Sequence, residues 1–339
     1  MSNDTIDHVD LAPTEDALAS TGIWAMSSRW LGSWRTWGIA IPFLILFTAL
    51  SITSPPFLHT TNLINILDQQ SATLCIAAAG TLVLVAGGID LSVGATYGLA
   101  TVVAGQIAAH HSPVLAIVAG IGVGLVVGLI NGLIVTVFKI NALITTLAMS
   151  FVIGGLALKV SAGNLIVLSP TSGFFQFANA QFLTVPSAVW MTVGFIIVLG
   201  LLLTRTTFGR YIVASGGNAE AARLAGVRVN LIRVVAFTLS GGAAGLGGVI
   251  DISRLLSAQA ASGGSALAFT VLAGIVVGGT SIAGGEGSVW RTAIGVLFIA
   301  LIGNGIDLHN IDPLYQQIVF GLILLIAVGL DSWARQRRR

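Results

Sequence analysis

Few residues in this chain could do chemistry, and those few are set in apolar sequence. Asp90 stands in Gly87-Gly88-Ile89-Asp90-Leu91-Ser92-Val93-Gly94, with apolar runs on both sides. A carboxylate at membrane depth costs roughly 2.5–3.5 kcal/mol on insertion scales and therefore needs water or polar partners. The adjacent glycines let the backbone turn or approach another segment, and non-helical backbone at that depth survives only within protein or beside a water-filled cavity. The other candidates are hydroxyls, carboxamides and one further carboxylate on or near apolar spans. They are Thr81, Ser92, Asn131, Asn141, Asn304 and Asp307, with Gln69, Gln70, Thr145 and Thr146 beside them. Such groups exchange hydrogen bonds with an uncharged polar solute, which is the chemistry of a passage. Each also has a structural alternative. Asn131 and Asn141, near a helix end, can cap, and Asp90 can cap the next helix through the N–H of Ser92 or Val93 as readily as it lines a path. Asp251 and Arg254, three apart, are expected to pair; Glu286 either pairs with Arg291 in the same way or contacts a partner on the cytoplasmic side.

Covalent and metal chemistry find no footing. The only lysines, Lys139 and Lys159, do not follow a Gly-rich phosphate loop, so ATP hydrolysis is not expected of this chain. The glycines at 241–248 lie inside an apolar span with the wrong spacing for a dinucleotide site. No GxSxG elbow occurs. His8, His59, His110, His111 and His309 have no ligand-like spacing with carboxylates, so neither metal nor cofactor is expected. Cys75 is the single cysteine and sits in an apolar run, which excludes an internal disulfide.

The elements that must position the polar groups are membrane helices. The chain has 339 residues, 55% hydrophobic and 8% charged, with 42 glycines and a mean hydropathy of +0.96; soluble domains carry about 25% charged residues. The expected fold is all-α and polytopic. A hydrocarbon core of about 30 Å needs ~20 helical residues per crossing, which gives about ten spans, near 37–54, 63–86, 91–109, 113–137, 141–159, 187–204, 231–250, 266–281, 291–304 and 313–331. Glycine breaks between 250 and 310 blur short spans with re-entrant segments. Residues 1–28 carry Asp4, Asp7, Asp10, Glu15 and Asp16 without a Lys or Arg and read as an acidic tail, not a signal peptide. Residues 29–334 form the membrane domain and 335–339 a short basic tail.

With the N-terminus inside, Arg29, Arg35, Lys139, Arg205, Arg210, Arg223, Arg228, Arg233, Arg291, Arg335, Arg337, Arg338 and Arg339 face the cytoplasm. Only Lys159 and Arg254 fall outside. That bias supports cytoplasmic termini. The net charge of +2 and the scatter of the basic residues do not make a nucleic-acid surface. The segment 160–186 becomes the largest outer loop, polar enough to face an extracytoplasmic partner. Gly120, Gly124, Gly128 and Gly132 form a four-residue stripe for close helix packing, and Gly241 with Gly245 and Ala244 with Gly248 suggest a second. The run Ala79-Gly80-Thr81-Leu82-Val83 ahead of Gly87-Gly88 has an echo in Ala273-Gly274-Ile275-Val276-Val277 ahead of Gly284-Gly285, as a duplicated transporter would show.

The stretch 205–233 is the longest hydrophilic segment within the bundle. There Asn218 can cap a short helix, with Glu220 in its first turn and Gly226 as its C-terminal stop. Physics alone is equally satisfied by an ordinary loop helix held inside by its arginines.

Gly87 to Gly94, read as GGIDLSVG, resembles the signature segment of the sugar-type permease family of bacterial ABC importers, the inner-membrane subunits for ribose, xylose, arabinose and galactose. The resemblance extends through Gly217-Asn218-Ala219-Glu220-Ala221-Ala222-Arg223-Leu224-Ala225-Gly226 and through Gly284-Gly285-Glu286-Gly287-Ser288, Asn304-Gly305, Pro313 and Tyr315-Gln316-Gln317, covering about 63–331. It implies that Gly217, Asn218, Glu220, Ala221, Ala222, Arg223 and Gly226 form a coupling helix for a separate ATPase subunit with duplicated cassettes. It also implies a periplasmic sugar-binding protein, a second permease copy or paralogue, and alternating access. A sugar presents hydroxyls and no charge, which suits Thr81, Asp90, Ser92, Asn131, Asn141, Asn304 and Asp307 as its pathway. Three rivals are a branched-chain amino acid permease, expected to lack GGIDLSVG, an ion-coupled transporter, expected to carry several mid-membrane charges, and a membrane enzyme, expected to carry a paired nucleophile and base.

Overall fold

The computed structural model describes residues 38–170, 173–312 and 314–336. The acidic tail at 1–28, Arg29 and Arg35, and the final arginines 337–339 lie outside the described residues. The elements are, in order, α1 (Ala40–Thr53), α2 (Thr60–Gln69), α3 (Ser71–Val85), α4 (Val93–His110), α5 (Pro113–Val137), α6 (Ala142–Ser161), β1 (Ile166–Val167), α7 (Phe175–Asn179), β2 (Gln181–Phe182), β3 (Val185–Pro186), α8 (Ser187–Arg205), α9 (Thr207–Gly217), α10 (Ala219–Leu224), α11 (Val229–Leu255), β4 (Ser257–Ala258), α12 (Gly264–Val277), α13 (Val289–Leu308) and α14 (Leu314–Gln336). The chain is an all-α membrane protein with two minimal strand pairs, β1 with β4 and β2 with β3. Among the described residues five helices are long and apolar enough to cross a membrane: α5, α6, α8, α11 and α13.

The expected span 63–86 is not one helix. Residues 60–69 and 71–85 form two helices meeting at Gln70. The reason is in the side chains: α2 has a polar face, whereas every residue of α3 is buried, as a helix apolar all round must be. At 15 residues α3 is about 22 Å long, short of the hydrocarbon thickness.

α3 is the axis, packed by α8, α11, α12 and α13. It ends at Gly87, where φ is +81° and where the N–H groups of Gly87 and Gly88 bond back to Leu84 and Val83 oxygens at 3.0 and 2.9 Å. α12 ends in the same way at Gly279, φ +80°, with Gly279 and Thr280 bonded back to Val276 and Ile275 at 2.8 and 3.2 Å. Such a cap needs a left-handed residue, which glycine supplies without strain. The counterpart of Gly87 is therefore Gly279, not the Gly284-Gly285 pair that the sequence echo matched to it.

The glycine stripe of α5 packs on α11. A Cβ on Gly124 would stand 2.2 Å from Gly241 O, and one on Gly128 2.2 Å from Phe237 O, so the two backbones touch. The segment 160–186 folds down instead of standing away: Ile166, Leu168, Phe174 and Ala178 are buried, and Ser253 Oγ of α11 donates to Phe174 O and accepts from Ala178 N at 2.7 and 3.0 Å.

Candidate functional site

The break between α3 and α4 places Asp90 where both its oxygens are used. Oδ1 accepts from Ser92 N at 3.0 Å and from Ser92 Oγ at 2.6 Å, and Oδ2 accepts from Ser240 Oγ of α11 at 2.8 Å. Ser92 Oγ in turn accepts from Asn131 Nδ2 of α5 at 2.7 Å. Thr146 of α6 accepts from Leu91 N at 3.1 Å and donates to Ile89 O at 3.2 Å. Residues 89–92 are thus tied to three helices at once, which satisfies the carboxylate and the unwound backbone inside protein. Asn131, expected near a helix end, is instead fully buried within α5, and its Oδ1 has no partner among the described residues. Asn141 is the N-cap of α6, accepting from Leu143 N at 2.9 Å. Thr81 is buried on α3, where its hydroxyl shares a 2.8 Å bond with Thr292 of α13 and another with Ala77 O.

Asn304 and Asp307 lie elsewhere, at the other end of the bundle. Asn304 exchanges two bonds with Asn62, at 3.2 and 2.9 Å, and Asp307 accepts from Gln316 at 3.2 Å. The seven candidate pathway residues therefore occupy two places: Thr81, Asp90, Ser92, Asn131 and Asn141 toward the broken end of α3, Asn304 and Asp307 toward its start.

The short helix α10 has the expected caps. Asn218 Oδ1 accepts from Glu220 N and Ala221 N at 3.1 and 3.0 Å, and Gly226, φ +84°, closes the other end. Arg223 pairs with Glu220 at 3.2 Å while both side chains stay exposed, so the pair adds little stability and leaves a charged outer face. Ala222 is buried beneath it.

Sequence reasoning missed what lies under α10. A Cβ on Gly216 would fall 1.8 Å from Val85 O at the end of α3 and 2.6 Å from Gly285 N, and Gly285 N itself donates to Val85 O at 2.8 Å. A Cβ on Gly284 would meet Gly87 Cα at 2.9 Å, and one on Gly285 would meet Gly217 Cα at 2.8 Å. Three backbones interlock there: the last turn of α9, which leads into α10, and the loops after both broken helices. Arg233 also reaches in from α11, donating to Ala86 O at 3.2 Å, so a cation caps the carbonyl end of α3. Beside it a cleft of about 660 Å³ is lined by Lys139, Arg223 and Arg233. The glycine pairs were visible in sequence, but their meeting was not.

The expected Asp251–Arg254 pair forms at 3.1 Å, and Arg254 also reaches Asp68 of α2 at 3.5 Å, while Tyr97 donates to Asp251. Among the described residues no group of three or more His, Cys, Asp or Glu could hold a metal ion. The geometry offers polar lacing, a junction of three backbones and an exposed charged helix.

The family described as branched-chain amino acid transport system / permease component matches residues 62–328. The ribose import permease protein RbsC of Bacillus subtilis (strain 168) is 43% identical over 296 residues, 86% of this chain and 91% of that protein. The L-arabinose ABC transporter permease protein AraH of Azospirillum brasilense is 37% identical over 325 residues, 95% and 93% respectively. RbsC of Escherichia coli (strain K12) is 36% identical over 296 residues, 86% and 92%. No solved structure matches the chain. With the family match spanning most of the membrane part and ribose and arabinose permeases aligned nearly end to end, the chain belongs to this permease family and is a transport component, not an enzyme.

Proposed function

We propose that the chain is the membrane permease subunit of an ATP-driven importer that carries a monosaccharide, ribose or arabinose in kind, delivered by a periplasmic binding protein. A separate ATPase, with duplicated cassettes, supplies the energy, and two permease copies, or this chain and a paralogue, form the passage. The chain sits in the bacterial inner membrane with about ten spans and both ends cytoplasmic; α2 and α3 together make one span, and the short helices α1 and α12 complete the set with α4 and α14.

The observation that carries this reading is the interlock beneath α10. An importer powered from outside needs a rigid path from the face that grips the motor to the helices that open. Here α10 presents Glu220 and Arg223 outward, and the helix leading into it touches the broken ends of α3 and α12 backbone to backbone, with no side chain between. The basic cleft of Lys139, Arg223 and Arg233 suits acidic groups of such a partner. Asp90, with both oxygens engaged by Ser92 and Ser240, then acts as a latch on the break more than as a solute contact.

The description of the matching family favours one other cargo, a branched-chain amino acid. Proteoliposomes holding the complete importer, with ATP inside or out as orientation requires, are expected to take up ribose or arabinose and not leucine. Leucine uptake without sugar uptake would overturn the cargo. Uptake driven by a proton or sodium gradient, without ATP, would overturn the class.

A further inference from the structure

The surface changes character at the end of the bundle opposite α10. Along α6, α12 and α14 the hollows are apolar, lined by Leu147, Phe151, Phe269 and Phe320 among others, as lipid-facing surface should be. Where α2, α13 and α14 converge there is instead a groove of about 260 Å³ walled by carboxamides. Its contents are wet or polar by necessity, because an unpaired amide facing hydrocarbon costs several kcal/mol.

The wall has two parts. Asn62 with Asn304, and Gln316 with Asp307, are tied to each other and so hold α2, α13 and α14 in place. Asn65, Gln69 and Gln70 also line the groove, yet their side chains make no hydrogen bond among the described residues. Asn62, Asn65 and Gln69 follow one another at i, i+3 and i+7, a single stripe of α2, while Leu63 and Ile66 of the same helix join the apolar cluster of Leu50, Phe57 and Leu301. The burial of Leu63 and Ile66 therefore fixes the direction in which the carboxamides point.

Each free carboxamide offers two donors and an acceptor with two lone pairs, the complement of a hydroxyl that both gives and takes a hydrogen bond. Among the described residues no Lys, Arg or His lines the groove and Asp307 is its only charge, which disfavours anions. Ile299 and Phe320 add an apolar wall. The volume far exceeds the ~10–15 Å³ that one water needs on this measure.

We propose that this groove receives an uncharged, hydroxyl-rich solute at the end of the bundle opposite α10, with Asn65, Gln69 and Gln70 as the groups that exchange hydrogen bonds with it. The assignment rests on the importer reading and adds to it the residues that meet the solute on entry. Gln70 immediately precedes α3, whose far end is the glycine interlock, so the receiving groove and the coupling junction are the two ends of one buried helix.

The test uses the complete importer in proteoliposomes with radiolabelled ribose and arabinose, comparing wild type with the double variant Gln69→Leu, Gln70→Leu and with Asn65→Leu. Sugar uptake by the double variant is expected to fall roughly tenfold or more at sub-saturating sugar, as the loss of one or two hydrogen bonds implies. ATP hydrolysis stimulated by the loaded binding protein and co-purification of the subunits should be unchanged. Uptake within twofold of wild type in both variants would overturn the proposal. A parallel loss of stimulated hydrolysis would also overturn it, because the groove would then serve docking or folding. As a direct check, Asn65→Cys should react with a maleimide more slowly in saturating ribose; Cys75 is fully buried and gives little background. Ribose-independent labelling would count against the site. Wild-type uptake of either sugar reports on the importer reading itself, and only the ratio of variant to wild type reports on the groove.

Discussion

Replacing Gly216 by Ala is the sharpest probe of the junction. On an ordinary helix this change stabilises by roughly 0.5–1 kcal/mol through backbone entropy. At this position the new methyl would stand 1.8 Å from Val85 O and 2.6 Å from Gly285 N. The last turn of α9 must then move by about 1 Å or more away from both the end of α3 and the loop at Gly285, which stay joined by the 2.8 Å bond from Gly285 N to Val85 O. Overpacking of this kind costs about 1–3 kcal/mol, lost from contacts between the segment entering α10 and the broken helix ends. Gly217→Ala is the matched control, since its Cβ would meet only Gly285 Cα, at an ordinary 4.0 Å. In the reconstituted importer Gly216→Ala should lower sugar uptake at least tenfold and uncouple hydrolysis from the loaded binding protein, with a lower unfolding temperature. Gly217→Ala should melt as wild type does. Equal melting of the two variants would refute the reasoning.

Further predictions concern single elements. Gly124→Ala puts a methyl 2.2 Å from Gly241 O and should lower thermal stability by several degrees or prevent folding, whereas Gly122→Ala, which meets nothing within 4 Å, should melt as wild type does. Charge reversal by Glu220→Lys or Arg223→Glu should leave the melting temperature nearly unchanged, because the pair is exposed, yet reduce ATPase co-purification and transport severalfold or more. Asp90→Ala strands Ser92 and Ser240 and should destabilise by about 1–3 kcal/mol, read as a lower melting temperature of the purified chain. Arg254→Gln leaves Asp68 and Asp251 without their cation and should cost about 3–5 kcal/mol, visible as poor recovery from the membrane, with Asp251→Asn in the same chain restoring part of the loss.

Local sequence was sufficient for whatever local physics controls. A charged fraction of 8% and the long apolar runs require membrane helices. The Asn218 cap and the Gly226 stop of α10 are both written within ten residues. The four-residue glycine stripe of α5 announces close packing because helix periodicity puts those positions on one face. Asn131 was misplaced for the opposite reason. Its neighbours in sequence are apolar, and its partner, Ser92, comes from a break 39 residues earlier.

By itself, then, the sequence determined the class of the molecule, the break at Gly87–Gly94, and the short charged helix at 219–224, since composition, glycine torsions and caps act over a few residues. Only the tertiary structure decided that 63–86 is two helices, that Gly279 is the counterpart of Gly87, that Gly216 and Gly285 meet beneath α10, and that three free carboxamides share a groove with Asn304 and Asp307. Those outcomes depend on which helix faces can approach closely enough to exclude lipid, and closeness between segments far apart in the chain leaves no periodic mark in either one.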